Sequence, residues 1–255
     1  MNRIFFIVLF LFMSFSMMAQ PVVIAHRGSS FAAPENTVAA AKLAWEQGAD
    51  AVELDIYPSA DNRVMVMHDG NTKRTTGQSF EIQKTNSDIL RTLDAGSWKD
   101  ARYKGEKIPF LEEMIVTVPA GKKMVIEIKC GMEVLPTLQK IVDECGKKQQ
   151  LIFIAFDWQT ILAAKQMFPA NKCYWLSSSA TDVYAKMEEA AQHKLDGINL
   201  NNKIVDTEMV SKAQSAGLEV LSWTIDDVTE AKRLVQLGVT GITTNRPDLM
   251  LENLR

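Results

Sequence analysis

The sequence predicts a single-domain (β/α)₈ barrel. Three observations predict it: eight short apolar, β-rich runs recur along the chain, segments of helical spacing separate most of them, and the length of 255 residues suits a fold that typically takes roughly 250. The runs fall at residues 22–25, 51–56, 124–128, 151–155, 173–176, 197–200, 220–223 and 241–243. Helical spacing marks residues 37–47, 159–168, 183–193, 208–216 and 228–237, each long enough to cover a barrel strand. Gly48, Gly217 and Gly238 stand between a helix and the next strand, where the left-handed turn that ends a helix favours glycine. An open doubly wound sheet fits less well, because no GxGxxG loop follows the first run.

The chain begins Met-Asn-Arg and continues with a run free of charge over residues 4–18, then Ala19-Gln20-Pro21. The run is shorter than the roughly 20 residues a membrane-spanning helix needs, and it predicts a signal peptide over 1–19 with cleavage near Ala19, leaving a barrel domain at 20–255. The expected location is periplasmic or secreted; the alternative is an uncleaved N-terminal anchor. Removing the leader takes Arg3 alone among the charges, so 27 basic and 31 acidic residues remain. A net charge of −4 leaves no basic field for nucleic acid. Cys130, Cys145 and Cys173 are too few and too irregularly spaced for a disulfide framework or a CxxC motif. Cys145 and Cys173 either pair after export or stay as buried thiols.

Two segments break the rhythm. Residues 64–67 form a ninth strand candidate, joined to 51–56 by Ser59-Ala60-Asp61-Asn62-Arg63, too short for a parallel crossover. A hairpin follows, and a turn centred near Asp61 and Asn62 sets His68 roughly opposite Asp55. The second break is the long polar excursion from Asp69 to about Phe110, helical near 87–93, which is expected to cap the barrel mouth.

Barrel enzymes work at the C-terminal ends of their strands. There this chain places Ala25-His26-Arg27-Gly28, Glu53-Leu54-Asp55, His68-Asp69 and Glu127-Ile128-Lys129. Side chains alternate across a strand, so Glu53 and Asp55 share a face, as do Glu127 and Lys129. Three inward carboxylates and a lysine are costly unless paired or bound to a cation. Oxygen donors alone suit Ca²⁺ or Mg²⁺; the alternative is an ion-pair network with Arg27 and Lys129 and no metal. His26 and His68 are two of only three histidines, and a pair at strand ends suits general acid–base work near neutral pH. Arg27 and Lys129 offer fixed positive charge to phosphate oxygens. Together these groups point to phosphoryl transfer. His193, late in a helical segment, reads as a capping or solvent-facing residue, and Glu35 and Asn36 either as ligands or, the reading their place favours, as residues that cap and anchor the helix starting near Thr37. Trp223 and Phe156 are candidate walls of a substrate pocket, with Trp158 similar; Trp98 and Tyr103 are candidates from the excursion.

The same residues resemble the glycerophosphodiester phosphodiesterase family, whose barrel is similar to that of phosphatidylinositol-specific phospholipases C. The resemblance rests on His26-Arg27-Gly28 with Pro34-Glu35-Asn36-Thr37, Glu53-Leu54-Asp55, His68-Asp69 with Arg74-Thr75-Thr76, Ile108-Pro109-Phe110-Leu111-Glu112-Glu113, Glu127-Ile128-Lys129, Trp223-Thr224, and the closing run from Gly241 to Asp248. It spans the chain after the leader. It implies His26 and His68 as the acid–base pair, Glu53, Asp55 and Glu127 as holders of one divalent cation, and Arg27 and Lys129 as phosphate ligands. It further implies attack by the neighbouring glycerol hydroxyl, a cyclic phosphate, and ring opening by water to glycerol 3-phosphate. Asn245 stands where many relatives carry an acid, a departure expected to leave the site residues untouched, and Gly70-Asn71-Thr72-Lys73 lacks the usual leucine. Small-molecule diesters with choline, ethanolamine, glycerol or inositol headgroups are the expected substrates. A lysophospholipid or inositol phosphodiester cleaved by the same site is the alternative, and a non-catalytic binding protein a further one.

Overall fold

The apolar runs are buried on both faces, as strands of a parallel sheet covered by helices must be. A computed structural model describes residues 20–255; the expected leader lies outside the described residues. In chain order the strands are β1 (Val22–Ala25), β2 (Ala51–Pro58), β3 (Val64–Val66), β4 (Lys123–Ile128), β5 (Leu151–Ala155), β6 (Lys172–Ser177), β7 (Gly197–Asn201), β8 (Glu219–Trp223) and β9 (Gly241–Thr244). The helices are α1 (Val38–Glu46), α2 (Lys73–Thr76), α3 (Ser87–Leu90), α4 (Leu111–Val116), α5 (Leu135–Glu144), α6 (Trp158–Met167), α7 (Ala180–Gln192), α8 (Thr207–Ser215), α9 (Val228–Leu237) and α10 (Pro247–Leu254).

Leaving out β3, the strands form one parallel sheet in the order β1-β9-β8-β7-β6-β5-β4-β2, and β1 pairs with β2 to close it. This is the predicted (β/α)₈ barrel. Alternation along each strand divides the core. Val23, Val52, Ile126, Phe153, Ile198 and Val220 face outward into the layer shared with the helices, while Ile24, Ala51, Val125, Ile154, Leu176 and Leu221 plug the interior. Continuing up the inward faces by steps of two leads from Ile24 to His26, from Ala51 to Glu53 and Asp55, from Val125 to Glu127 and Lys129, and from Leu221 to Trp223. The pleat that fills the barrel floor with hydrocarbon therefore delivers its polar groups to one mouth.

Gly48, Gly217 and Gly238 adopt φ of +93°, +77° and +99°, as expected of helix stops. Helix α5 was not singled out by periodicity. It starts at a Leu-Pro pair and buries Leu135, Leu138, Ile141 and Val142, an amphipathic stripe behind a proline-marked start.

The hairpin forms, with its register one residue from expectation. Ile56 pairs with Val66 and Tyr57 with Met65, and the Met67 amide donates to the Asp55 carbonyl at 3.0 Å, so Met67 and not His68 lies opposite Asp55. The cause is the turn: Ser59 pairs with Arg63 across it and Asn62 takes φ +60°, which centres the reversal on Asp61 alone. Residues 69–110 build α2, α3 and two single 3₁₀ turns around a small core of their own, in which Met65 and Met67 of the hairpin meet Ile82, Leu90, Leu93 and Ile108. The segment is tied beside the mouth through Lys99 Nζ to the Ser30 carbonyl at 2.8 Å and Tyr103 Oη to the Ala32 carbonyl at 3.2 Å. All three cysteines are free thiols, Cys130 and Cys173 being buried, so the pairing of Cys145 with Cys173 is absent from this structure. Among the described residues no helix is long and apolar enough to cross a membrane.

Candidate active site

His26, Arg27, Glu53, His68, Glu127 and Lys129 line one cavity of about 260 Å³ at the barrel mouth, with Phe156 and Trp223 on its apolar side. Asp55 lies directly behind. Phe156 is 44% exposed and meets Trp223 edge to face at 5.5 Å, whereas Trp158 turns away and packs against Trp175. Trp98 flanks a shallower depression beside Arg27, and Tyr103 serves as an anchor of the excursion.

The approach to His26 is set by an unusual stretch of backbone. Arg27 and Gly28 both adopt positive φ, +58° and +82°, and a Cβ on Gly28 would meet the Ala40 carbonyl carbon at 2.5 Å. This turn brings the Arg27 amide onto Glu53 Oε2 at 2.9 Å and its guanidinium onto Glu35 at 2.8 Å, with Nε 3.5 Å from Asp55.

Glu53, Asp55 and Glu127 each aim a carboxylate oxygen to within 4.8 Å of the others. All are buried. Lys129 Nζ stands 3.1 Å from Glu127 and 3.7 Å from Asp55, yet Glu53 Oε1 and Asp55 Oδ1 remain without a hydrogen-bond partner. Burial and the repulsion of Asp55 and Glu127 push the Glu53 carboxyl well above its usual range, and burial with Asp55 pushes Glu127 up to about 7. The ion pairs weighed as an alternative to a metal are present, but they leave the cluster short of positive charge. Buried, orphaned carboxylate oxygens that converge are the donor set a hard divalent cation requires.

Each histidine is oriented through Nδ1. His68 Nδ1 lies 2.7 Å from Asp69 Oδ1, and its Nε2 lies 3.1 Å from Lys129 Nζ. Asp69 is in turn gripped by Arg74, which also holds Glu35, and those hydrogen bonds keep Asp69 at about 2. Burial opposes ionisation of Glu35, but Arg74 and Arg27 outweigh it and hold that carboxyl at about 2. Glu35 thus bridges the arginine beside His26 to the arginine behind His68.

His26 Nδ1 lies 2.7 Å from Asn245 Oδ1. The Asn245 amide is oriented by Asp226, which accepts from its Nδ2 at 2.7 Å and from its backbone N–H at 2.8 Å. With Nδ2 spent on a carboxylate, Oδ1 must face the ring, so Nδ1 carries the proton and Nε2 the lone pair. Burial and the neighbouring Arg27 charge lower His26 to about 4, which keeps the ring neutral at physiological pH. Asn245 therefore touches a site residue, contrary to the reading of its departure as inconsequential. Its contact spans 219 positions, which no local pattern reveals. Glu35 and Asn36 are likewise not helix caps. Thr37 caps α1 through the Ala40 amide, while Asn36 Nδ2 donates to Asp55 Oδ2 at 2.8 Å and steadies that carboxylate. His193 ends α7 as expected, 3.7 Å from Glu189.

A closed (β/α)₈ barrel with two oriented histidines, two cations and a three-carboxylate cluster at its mouth defines a class, the barrel phosphodiesterases. Residues 26–249 match the sequence model of the glycerophosphoryl diester phosphodiesterase family, and the chain belongs to that family of phosphoric diester hydrolases. It is 30% identical over 240 residues to a glycerophosphodiester phosphodiesterase of Caldanaerobacter subterraneus subsp. tengcongensis, covering 92% of this chain and 98% of that one. A glycerophosphodiester phosphodiesterase of Bacillus subtilis is 32% identical over 251 residues, with 89% and 84% covered. The solved structure of an Oleispira antarctica phosphodiesterase in complex with the product sn-glycerol-3-phosphate superposes with a TM-score of 0.80 at 31% identity, covering 92% of this chain and 96% of that one.

Proposed function

We propose that this chain is an exported, cation-dependent enzyme that hydrolyses glycerophosphodiesters to glycerol 3-phosphate and an alcohol, with His26 and His68 moving the protons. The observation that carries the reading is the meeting of both imidazoles, each tied through Nδ1, with the carboxylate cluster in one cavity. Export is supported by the uncharged run over residues 4–18 and the small residue at Ala19.

The free Nε2 of His26 is a base ready to take the proton of the glycerol hydroxyl next to the phosphoester. That oxygen attacks phosphorus, the bond to the alcohol breaks, and a cyclic phosphate forms. His68, held through Nδ1 by Asp69, would protonate the departing alkoxide from Nε2, which the substrate phosphate frees by drawing away the Lys129 ammonium that Nε2 faces at 3.1 Å here. Water then opens the ring with the proton roles reversed. Arg27 and Lys129 present N–H donors to the phosphate oxygens. A cation held by Glu53, Asp55 and Glu127, Ca²⁺ or Mg²⁺ by its oxygen donors, supplies charge that neutralises the phosphate and acidifies the attacking hydroxyl.

The test is release of glycerol 3-phosphate from glycerophosphocholine, -ethanolamine, -glycerol and -inositol by residues 20–255, with and without chelator. Release that stops with chelator and returns with Ca²⁺ or Mg²⁺ is the expected outcome. No release from any of the four under either ion removes the reading, and turnover confined to lysophospholipids moves it to a lipid substrate.

A further inference from the structure

We propose that Asn199 and Thr243 hold the terminal hydroxyl of the substrate's glycerol unit at the floor of the cavity, making the enzyme selective for glycerol over other vicinal diols. The inference rests on the glycerophosphodiester reading and specifies which groups recognise that half of the molecule.

The barrel interior below the mouth is otherwise mostly hydrocarbon, and its Tyr174 hydroxyl is satisfied by Glu219. An amide and a hydroxyl placed there are costly unless hydrogen-bonded. Asn199 and Thr243 are 2% and 3% exposed and both line the cavity. Among the described residues Asn199 Oδ1 and Thr243 Oγ1 have no hydrogen-bond partner. Neighbouring buried hydroxyls on β8 and β9 are satisfied: Ser222 Oγ donates to the Leu200 carbonyl at 2.9 Å, and Thr244 Oγ1 to Asp226 at 2.8 Å. Asn199 and Thr243 border the cavity, as the likewise unsatisfied Arg27 and Glu53 do, and their orphaned oxygens lie just behind its wall, so a hydroxyl meets them when the two side chains rotate toward it.

Their height fits a glycerol unit. Thr243 pairs with Ile24, so it lies one inward position below both His26 and Asn245. Asn199 pairs with Leu176 on one side and Leu221 on the other, within the layer under the mouth. The hydroxyl beside the phosphoester must reach His26 to lose its proton. The three carbons then lie along the apolar side formed by Ile154, Leu176 and Trp223, and the remaining hydroxyl points to the floor. A hydroxyl both donates and accepts, which complements an amide oxygen that only accepts and a threonine hydroxyl that can donate.

A site built to bond a substrate hydroxyl rejects an analogue lacking it, because its own polar groups are then left unpaired. The experiment compares kcat/KM of the full chain for glycerophosphocholine and for the phosphocholine diester of propane-1,2-diol. That analogue keeps the attacking hydroxyl and loses only the terminal one. Wild type should favour the glycerol diester by about 100-fold or more. Thr243→Val and Asn199→Ala should each reduce that preference at least about tenfold, whereas Thr243→Ser, which keeps the hydroxyl, should retain it. Because each preference is a ratio measured on one preparation, partial loss of folded protein cancels. Equal use of both diesters by wild type, or a preference untouched by Thr243→Val and Asn199→Ala, overturns the inference while leaving the proposed function standing. Failure to cleave either diester overturns both.

Discussion

At the scale of single residues, the site depends on how each imidazole is held as much as on its presence. His26 leans on a neutral amide, and that amide is fixed by Asp226. A neutral acceptor fixes the tautomer without drawing positive charge onto the ring, so the acid limb of kcat/KM attributable to His26 is expected near pH 4. The sign follows from the base role: the ring is active when neutral, so activity falls as pH drops through its pKa. Asn245→Asp substitutes a carboxylate that favours the imidazolium, and the limb should move up by about one pH unit or more. Asn245→Leu frees the ring and should lower kcat about tenfold or more with a smaller effect on KM. A pH–rate profile of both variants checks this, and an unmoved limb in Asn245→Asp would mean that the contact does not govern His26.

At the scale of elements, the strands and the residues at their ends were legible from the chain, because a buried parallel strand is an apolar run and the alternation inside it fixes which side chains turn inward. His26, Glu53, Asp55, Glu127 and Lys129 were found this way, and the cavity gathers them with His68 around it. The hairpin register was missed by one residue because it depends on where a five-residue turn reverses, which Asn62 decides through its backbone conformation. The supports were missed for a different reason. Glu35, Arg74 and Asn245 stood in the motifs behind the resemblance, but their supporting roles, with that of Asp226, depend on contacts such as His26–Asn245 and Glu35–Arg74, 219 and 39 positions apart, that no local pattern marks. The turn after β1 has a direct test. Gly28 sits at φ +82° against Ala40, so Gly28→Ala must either shift α1 or straighten the turn that carries His26 and Arg27. We expect a loss of about 2–4 kcal/mol in stability by chemical denaturation and a fall in kcat disproportionate to the fraction unfolded. A variant as stable and as active as wild type would remove Gly28 from this role.

For the whole molecule, the barrel concentrates cost in one place. Its outer layer and most of its interior are hydrocarbon, whereas the mouth buries three carboxylates against Arg27 and Lys129 and leaves two carboxylate oxygens unpaired. A divalent cation that binds the folded cluster should stabilise the entire barrel, by about 2.7 kcal/mol at 100 times its Kd. For a domain of this size that is a rise in Tm of roughly 5–10 °C. Glu53→Gln should abolish the rise, and in chelator it should be neutral or stabilising because it removes one buried charge from a repelling group. Thermal melts in Ca²⁺, Mg²⁺ and chelator check both statements; an equal rise in Glu53→Gln would place the ion elsewhere.

The division of proton work between the two histidines is the claim on which the account turns, and a change of leaving group tests it most directly. The measurement is the single-turnover rate of alcohol release from glycerophosphodiesters of choline and of p-nitrophenol in wild type, His26→Ala and His68→Ala, a rate that precedes the ring opening in which His68 is the base. Choline needs a proton as it leaves; p-nitrophenolate does not. The account predicts that both variants lose about 10²–10⁴-fold on the choline diester. It predicts further that His68→Ala recovers most of its loss on the p-nitrophenyl diester, while His26→Ala recovers none. Rescue of His26→Ala instead, or equal losses on both substrates in both variants, would contradict it.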